Sequence, residues 1–501
     1  MEKGKSVVII GGGLGGLFTG AILSHEGMKV TILEKNSTIG GGLQSFKRFG
    51  MVFDTGMHVV AGLGPNGNIR KICQYLGVMD KMQIMDVDDD CTDLLYFAED
   101  KAYYRIAKGR GPFVESLSSY FPEERVNLQN YVEAIYRLTS EVSLFNIQRT
   151  SESLFAHSEE FIMAADAFIA KYIKDGKLRS IIAYMNPLYG GRGNQTPAYV
   201  HAIINVLYIN GASRFKGGSY LFAETLADCI RAHGGTVLTN NPVTKIEVEN
   251  REVKAVVASK GVYHADYYIC DIHPCSMFKL MDEKALPKSY RDRLNSIPNS
   301  YSAFSLYIKM KENSFPYINH SVYYMTTYRD IWNFGQMDKP WPLGFLLMTS
   351  PELNQGEYSK KVLLTAPMPM EMCQMWENTV TGHRGESYRL WKKQCTDRLL
   401  DRVEDVYPGF RDKIEAINSS SPLTIRDYYN VKDGSLSGFS KDYNNLALSQ
   451  VPVVTKIRNL LLTGQNNNLH GFCGVPLTAI NTCEAIFGLN YIVDKINQAI
   501  E

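Results

Sequence analysis

Three glycines and one acid carry the first chemistry that the sequence offers. Gly11, Gly13 and Gly16 follow the run Val7–Ile10 at GxGxxG spacing, and Glu34 comes 18 residues after Gly16. Gly11 permits a tight turn, Gly13 lets a pyrophosphate approach the backbone, and Gly16 lets a helix lie close to a strand. A helix starting there offers free N–H groups and a positive pole to phosphates. The carboxylate at Glu34 can accept hydrogen bonds from a ribose. These residue types at this spacing read as a dinucleotide site, flavin or nicotinamide. Leu14 and Gly15 lie inside the turn, and Lys35 follows the acid.

The elements that must hold these residues are legible beside them. Val7–Ile10 is an uninterrupted β-branched run, suited to a strand buried on both faces of a parallel sheet. Leu17–His25 reads as a helix and Lys29–Leu33 as a second strand. The bland alternative is an ordinary glycine-rich turn with a solvated Glu34. Strand, turn, helix, strand and acid in that order favour the dinucleotide.

Composition narrows the class. A chain of 501 residues suggests two or three structural units. Hydrophobic content of 45% and charged content of 21% are those of a soluble globular protein. A net charge of +1 excludes nucleic acid as a general partner. The start MEKGKSVVII runs straight into the first strand, without a signal peptide. The nine cysteines form no CxxC pair, so no metal site is expected and they read as small buried hydrophobes in a reducing cytoplasm. The acidic run Asp86–Asp90 lacks the glycine and terminal Glu of a calcium loop and reads as a solvated turn. The longest charge-free stretch, Gly193–Ser213, holds Asn194, Gln195, Pro197, His201, Asn205 and Asn210, poor material for a membrane span.

Further along, Gly40-Gly41-Gly42, followed by Leu43, permits a second close approach of backbone to ligand, and Phe46–Asp54 reads as a hairpin around Gly50. A short helix is expected from Ile69 to about Asp80, and paired strands at Leu94–Phe97 and Ala102–Ile106. Residues from about Pro112 to Ile209 repeat apolar side chains at helical spacing. Such a stretch, rich in Tyr, Phe, Met and Ile, suits a lid over an apolar ligand, or equally plain core packing. A helix at Ser219–His233, a hairpin of Val243–Glu249 with Val253–Ser259, and a strand within Ala265–Asp271 follow. Ala303–Lys309, Val322–Thr327, Phe345–Ser350 and Lys361–Ala366 suit a second sheet, one face of which could line a pocket. Leu460–Thr463 reads as a buried strand ending at Gly464 and Gln465. Gly474, Val475 and Pro476 open a last helix, with Pro476 in its first turn.

The glycine motif, the acid, the pair Gly40-Gly41 and the run Phe53-Asp54-Thr55-Gly56-Met57-His58 together resemble the flavoprotein superfamily of amine oxidases, phytoene desaturases, carotenoid isomerases and retinol saturases. The last run resembles the retinol saturase and carotenoid isomerase branch in particular. The resemblance implies an α/β fold: a Rossmann-type FAD-binding domain assembled from discontinuous segments, plus an α+β substrate domain with a mixed sheet and helical lid. It divides the chain into FAD-binding parts at 1–95, 214–275 and 441–501, a helical lid region at 96–213 and a substrate-domain sheet at 276–440. It implies FAD contacts at Gly11, Gly13, Leu14, Gly15, Gly16, Glu34, Lys35, Gly41, Gly42, Leu43, Gly56, His58, Val243, Gly464, Gln465, Gly474, Val475 and Pro476. Two departures stand out. Gly42 occupies the place where many members carry an arginine, which weakens an amine-oxidase reading. Gln465 replaces the usual acid.

Gly190–Gly193 and Gly471–Gly474 lack the strand–helix flanks of a second dinucleotide motif. One FAD is therefore expected, with hydride moving between it and a substrate carbon. The resemblance implies saturation or desaturation of a carbon–carbon bond in a long apolar, carotenoid- or retinoid-like substrate, with an external electron donor or acceptor and scope for peripheral membrane contact. Saturation also needs a proton. His58, which follows the flavin-proximal Asp54-Thr55-Gly56, is the first candidate, and His470 and Tyr220 come next. An amine-oxidase-like enzyme and a non-enzymatic lipid carrier on the same fold are the alternatives.

Overall fold

The computed structural model describes residues 2–56, 58–150 and 157–500. Met57 of the expected Phe53–His58 run, and residues 151–156 of the expected helical region, lie outside the described residues. Strand β1 (Ser6–Ile10), helix α1 (Leu14–His25) and strand β2 (Lys29–Leu33) form the expected β–α–β unit. Three strands from two distant parts of the chain complete its sheet. The strand order is Thr236–Leu238, β2, β1, Tyr267–Cys270 and Leu460–Leu462, every pair parallel.

The β-branched run explains the position of β1 at the centre. Val7 and Ile9 pack on the side of α1, while Val8 and Ile10 pack against Tyr268, Met277 and Leu294 on the other face. Helix α1 is apolar on every side, and all residues from Leu14 to Ser24 are buried. That fits a helix wedged between two others, here Tyr220–Ala232 and Gly471–Phe487.

The second unit is a seven-stranded mixed sheet. Its order is Ile414–Ser420, Ser302–Met310, Lys361–Met368, Gly344–Thr349, Ser321–Met325, Asp93–Phe97 and Ala102–Ile106. Only Ser321–Met325 with Asp93–Phe97 runs parallel among its pairs. Alternation decides its two faces. Phe304, Leu306, Leu347 and Leu364 turn to the helix Gly385–Glu404, through Cys395, Leu399 and Val403. Ser305, Leu346, Met348 and Thr365 turn the other way, toward the cavity described below. The helices Arg125–Ser140 and Ala165–Tyr172 pack on the helix Ala198–Ile209, and Arg110–Tyr120 packs on Arg125–Ser140.

The structure corrects three expectations. The expected boundary between 95 and 96 falls inside the strand Asp93–Phe97, which belongs to the large sheet. The expected helix at Ile69–Asp80 runs only over Asn68–Tyr75, because Gly77 adopts a positive φ of 65° and turns the chain out. The last helix begins at Gly471 rather than near Gly474, so Pro476 is its sixth residue and not in its first turn. There it removes one intrahelical bond, to the Phe472 carbonyl. The helix's positive pole therefore lies at Gly471–Gly474.

Candidate flavin and substrate site

One cavity of about 460 Å³ lies between the two sheets and is bordered by residues from both. Its dinucleotide end is built from backbone. Gly11 carries a φ of 104° and makes the turn out of β1. A Cβ on Gly16 would collide with the Gly11 carbonyl oxygen, so only glycine lets α1 start this close to the strand. Gly40 donates its N–H to the Gly12 carbonyl at 2.7 Å, which fixes the second glycine segment on the first. A Cβ on Gly41 would stand 3.1 Å from Gly13 Cα.

Glu34 holds this loop. One carboxylate oxygen accepts from the Gly12 N–H at 2.8 Å and the other from the Asn36 N–H at 2.8 Å. Burial pushes its carboxyl up, and those two backbone donors pull it back. A carboxylate has lone pairs beyond the two used here, so hydroxyl donors can still bind it. Lys35 donates to the Asp427 carbonyl at 3.0 Å, which ties the end of β2 to the helix Pro422–Tyr429.

Asp54 serves a structural purpose. Its carboxylate accepts from Ser45 Oγ at 2.6 Å and from the Ser219 N–H at 2.9 Å, so it clamps the hairpin to the chain after Gly218. Thr55 Oγ1 accepts from Tyr429 Oη at 2.7 Å. Gly56 is thereby held beside Gly42, where a Cβ would meet the Gly42 oxygen at 3.0 Å.

Of the residues expected at FAD, Gly11, Gly13, Leu14, Gly15, Glu34, Lys35, Gly41, Gly42, Leu43, Gly56, His58, Val243, Gly464, Gln465, Gly474 and Val475 line the cavity. Gly16 and Pro476 do not; Gly16 packs against the Gly11 backbone, and Pro476 is buried within its helix. Tyr220 stands outside the lining, against Gly218.

Both candidate histidines line the cavity, with His58 Nδ1 and His470 Nε2 buried and without a hydrogen-bond partner among the described residues. Burial pushes His58 down to about 4, opposed by the Asp54 carboxylate and assisted by the Arg214 guanidinium. Burial, and next the Lys441 ammonium, push His470 down to about 3. Burial thus favours the neutral form of each ring, in which one nitrogen still carries a proton.

Sequence reasoning missed two titratable groups in the wall. Lys441 is buried, and its ammonium donates to the carbonyls of Ser449 and Asn467, both at 2.9 Å. No carboxylate pairs with it among the described residues, and burial lowers it to about 8. Nothing in its turn-rich surroundings distinguishes it in the sequence. Asp271 follows the strand Tyr267–Cys270, and here a signal existed. Ligands of open α/β sheets bind outside the carboxyl ends of the strands, which is where Asp271 stands.

The rest of the wall is apolar. Val200, Ile203, Ile204 and Leu207 of the helix Ala198–Ile209 face Leu346 and Met348 of the large sheet. Among the described residues of the expected lid region, only this helix presents a continuous row to the cavity; Tyr131 and Phe168 of the neighbouring helices are core. His201 on the same helix is structural, fully buried between the hydroxyls of Tyr131 at 2.7 Å and Tyr189 at 3.1 Å.

A parallel sheet assembled from three distant chain segments, glycine turns where no Cβ fits, and orphaned polar atoms facing one cavity define a dinucleotide-dependent redox protein with an attached substrate domain. The family model described as "Flavin containing amine oxidoreductase" matches residues 14–318. This chain belongs to that family; it is an oxidoreductase whose cofactor is FAD. It is similar to all-trans-retinol 13,14-reductase of Danio rerio, 24% identical over 96% of this chain and 85% of that one. It is also similar to 4,4'-diapophytoene desaturase of Staphylococcus haemolyticus, 22% identical over 94% of this chain and 96% of that one. Among solved structures, an oxidoreductase from Methanosarcina mazei matches with a TM-score of 0.66 at 18% identity, over 96% of this chain and all of that one.

Proposed function

We propose that this enzyme adds hydrogen to, or removes it from, a carbon–carbon bond of a long apolar substrate of the retinoid or carotenoid type. The observation that carries the reading is the apolar chamber, walled by Ile203, Ile204, Leu207, Leu346 and Met348 and continuous with the FAD cradle. The relatives that act on retinol and on diapophytoene support it. Gly42, in place of an arginine, and the aliphatic wall argue against a C–N substrate. The glycine-complete cradle argues against a lipid carrier without flavin.

When bound, FAD supplies hydride exchange with a substrate carbon. The chain's own residues do the rest. The glycine turns and Glu34 fix the dinucleotide. The wall of Ile203, Leu207 and Leu346 excludes water from the polyene. The first turn of the helix Gly471–Phe487 presents free N–H groups and a positive pole, which favour negative charge on a group seated before it.

Saturation adds a hydride to one carbon and a proton to the other, with two electrons drawn from an external reductant. Lys441 lines the cavity, and its buried ammonium, held only by two carbonyls and lowered to about 8, can give that proton in saturation or, once neutral, take it in desaturation. The test is anaerobic incubation of the chemically reduced holoprotein with retinol and with linear carotenoids, followed by mass spectrometry. A gain of two hydrogens supports saturation. Loss of two hydrogens with oxidised holoprotein supports desaturation. No change in either polyene under both conditions refutes the reading.

A further inference from the structure

The cradle made for a diphosphate already contains an anion-forming side chain. Four glycine positions locate the Asp271 carboxyl. A Cβ on Gly13 would stand 2.7 Å from Oδ2, one on Gly464 would stand 2.5 Å from Oδ1, and one on Gly16 would stand 3.1 Å from Oδ2. A Cβ on Gly15 would collide with Oδ1. The carboxyl thus sits in the notch between the turn that opens α1 and the end of the strand Leu460–Leu462. Gly13 is the N-cap of α1, and no acidic residue lies in its first turn, so the positive pole there has no charge of its own element. That pole is what a dinucleotide phosphate uses. Asp271 Oδ2 is buried, and no donor among the described residues meets it in full hydrogen-bond geometry; the N–H groups of Gly13 and Gly16 act on the carboxyl only as nearby dipoles.

We infer that Asp271 and the FAD diphosphate share the N-terminal pole of α1, and that FAD binds only to the form in which Asp271 carries a proton. Two anions within one glycine notch repel each other at close range and with little water between them. A neutral acid in the same place instead offers an O–H to an acceptor and keeps the notch filled. FAD binding is therefore coupled to uptake of a proton at this side chain.

The charges around Asp271 agree. Burial pushes its carboxyl up to about 8, and the Glu34 carboxylate adds to the rise; the backbone N–H groups of Gly16 and Gly13 oppose it. β1 and the first turn of α1 contribute no titratable side chain, and neither do Thr463, Gly464 and Gln465 at the end of the neighbouring strand. Lys35, beyond Glu34, is engaged with Asp427, and His273 turns to Asn299 at 3.0 Å. No cation compensates the carboxylate in the notch among the described residues.

The sign follows. Below about pH 8 the acid is already protonated and FAD affinity is level. Above it, each pH unit costs about tenfold in affinity, because one proton must be taken up with the ligand.

The test is the FAD dissociation constant of the full-length apoprotein, read by quenching of flavin fluorescence between about pH 6 and pH 10. Calorimetry at about pH 9, in two buffers of different ionisation heat, counts the protons taken up. The expected result is a level affinity that falls about tenfold per unit above about pH 8, with close to one proton taken up at about pH 9. Asp271→Asn removes the slope and binds FAD more tightly than wild type at high pH. A level wild-type profile with no proton uptake overturns the inference without any variant. An Asp271→Asn protein that keeps the wild-type slope also overturns it. The inference rests on FAD and is independent of the substrate.

Discussion

The two ends of the cavity recognise their ligands in opposite ways. At the dinucleotide end the contacts are backbone, exposed by glycines at positions where a single added carbon collides with Gly11, Asp271 or Gly464. At the substrate end they are side chains, a row of Ile and Leu on one helix facing Leu and Met on a sheet. Backbone recognition tolerates almost no change, since the close approach is lost with the first methyl group. Side-chain recognition is a matter of volume, so it shifts by degrees. This contrast explains how one fold keeps its cofactor while its relatives differ in substrate.

The sharpest way to break the contrast is Gly16→Ala. Its Cβ meets the Gly11 oxygen, so the protein should lose its yellow colour on purification and about 3 kcal/mol of stability in a thermal melt. A yellow Gly16→Ala protein of normal stability would contradict the backbone account.

Next in size is Lys441→Met. Saturation of a polyene should slow by about a hundredfold or more, with FAD content unchanged. The wild-type turnover number should fall as pH rises through about 8, where the ammonium is lost. The variant should lack that limb, and pH profiles of both proteins read the difference.

At the apolar end, Ile203→Trp should leave flavin absorbance intact. It should lower kcat/KM for a long polyene by about tenfold or more while sparing a shortened analogue. Loss of FAD from this variant would show that the two ends are not separable.

The smallest effect should come from His58→Gln. A ring held neutral down to about pH 4 is a weak acid near neutrality, so turnover should change by no more than about threefold. Its pH profile should match that of wild type.

The same contrast decided what was legible in the sequence. Glycines forced by close approach leave a spacing, and the spacing of Gly11, Gly13, Gly16 and Gly41 marks the cradle in the sequence. Val7–Ile10 marked the centre of the sheet because a strand covered on both faces has no polar positions to spare. The chamber left no such trace. Ile203 and Leu207 repeat at helical spacing like Leu128 and Val132 nearby, yet only the first pair faces the cavity. The start of the last helix was missed because Pro476 resembles a first-turn proline, whereas the helix begins at Gly471. The burial of His58 and His470 is not legible in the sequence, because it comes from the assembled wall and not from neighbours in the chain.

The most direct test of the account mixes anaerobically reduced holoprotein with substrates of two classes in a stopped-flow spectrometer. One class is conjugated polyenes, and the other is the imines that an amine oxidase would form. The yellow absorption band of oxidised flavin is then followed. The account predicts that a polyene restores the band at a rate that depends on its chain length, and that the imines do not. Recovery with imines but not with any polyene would contradict it.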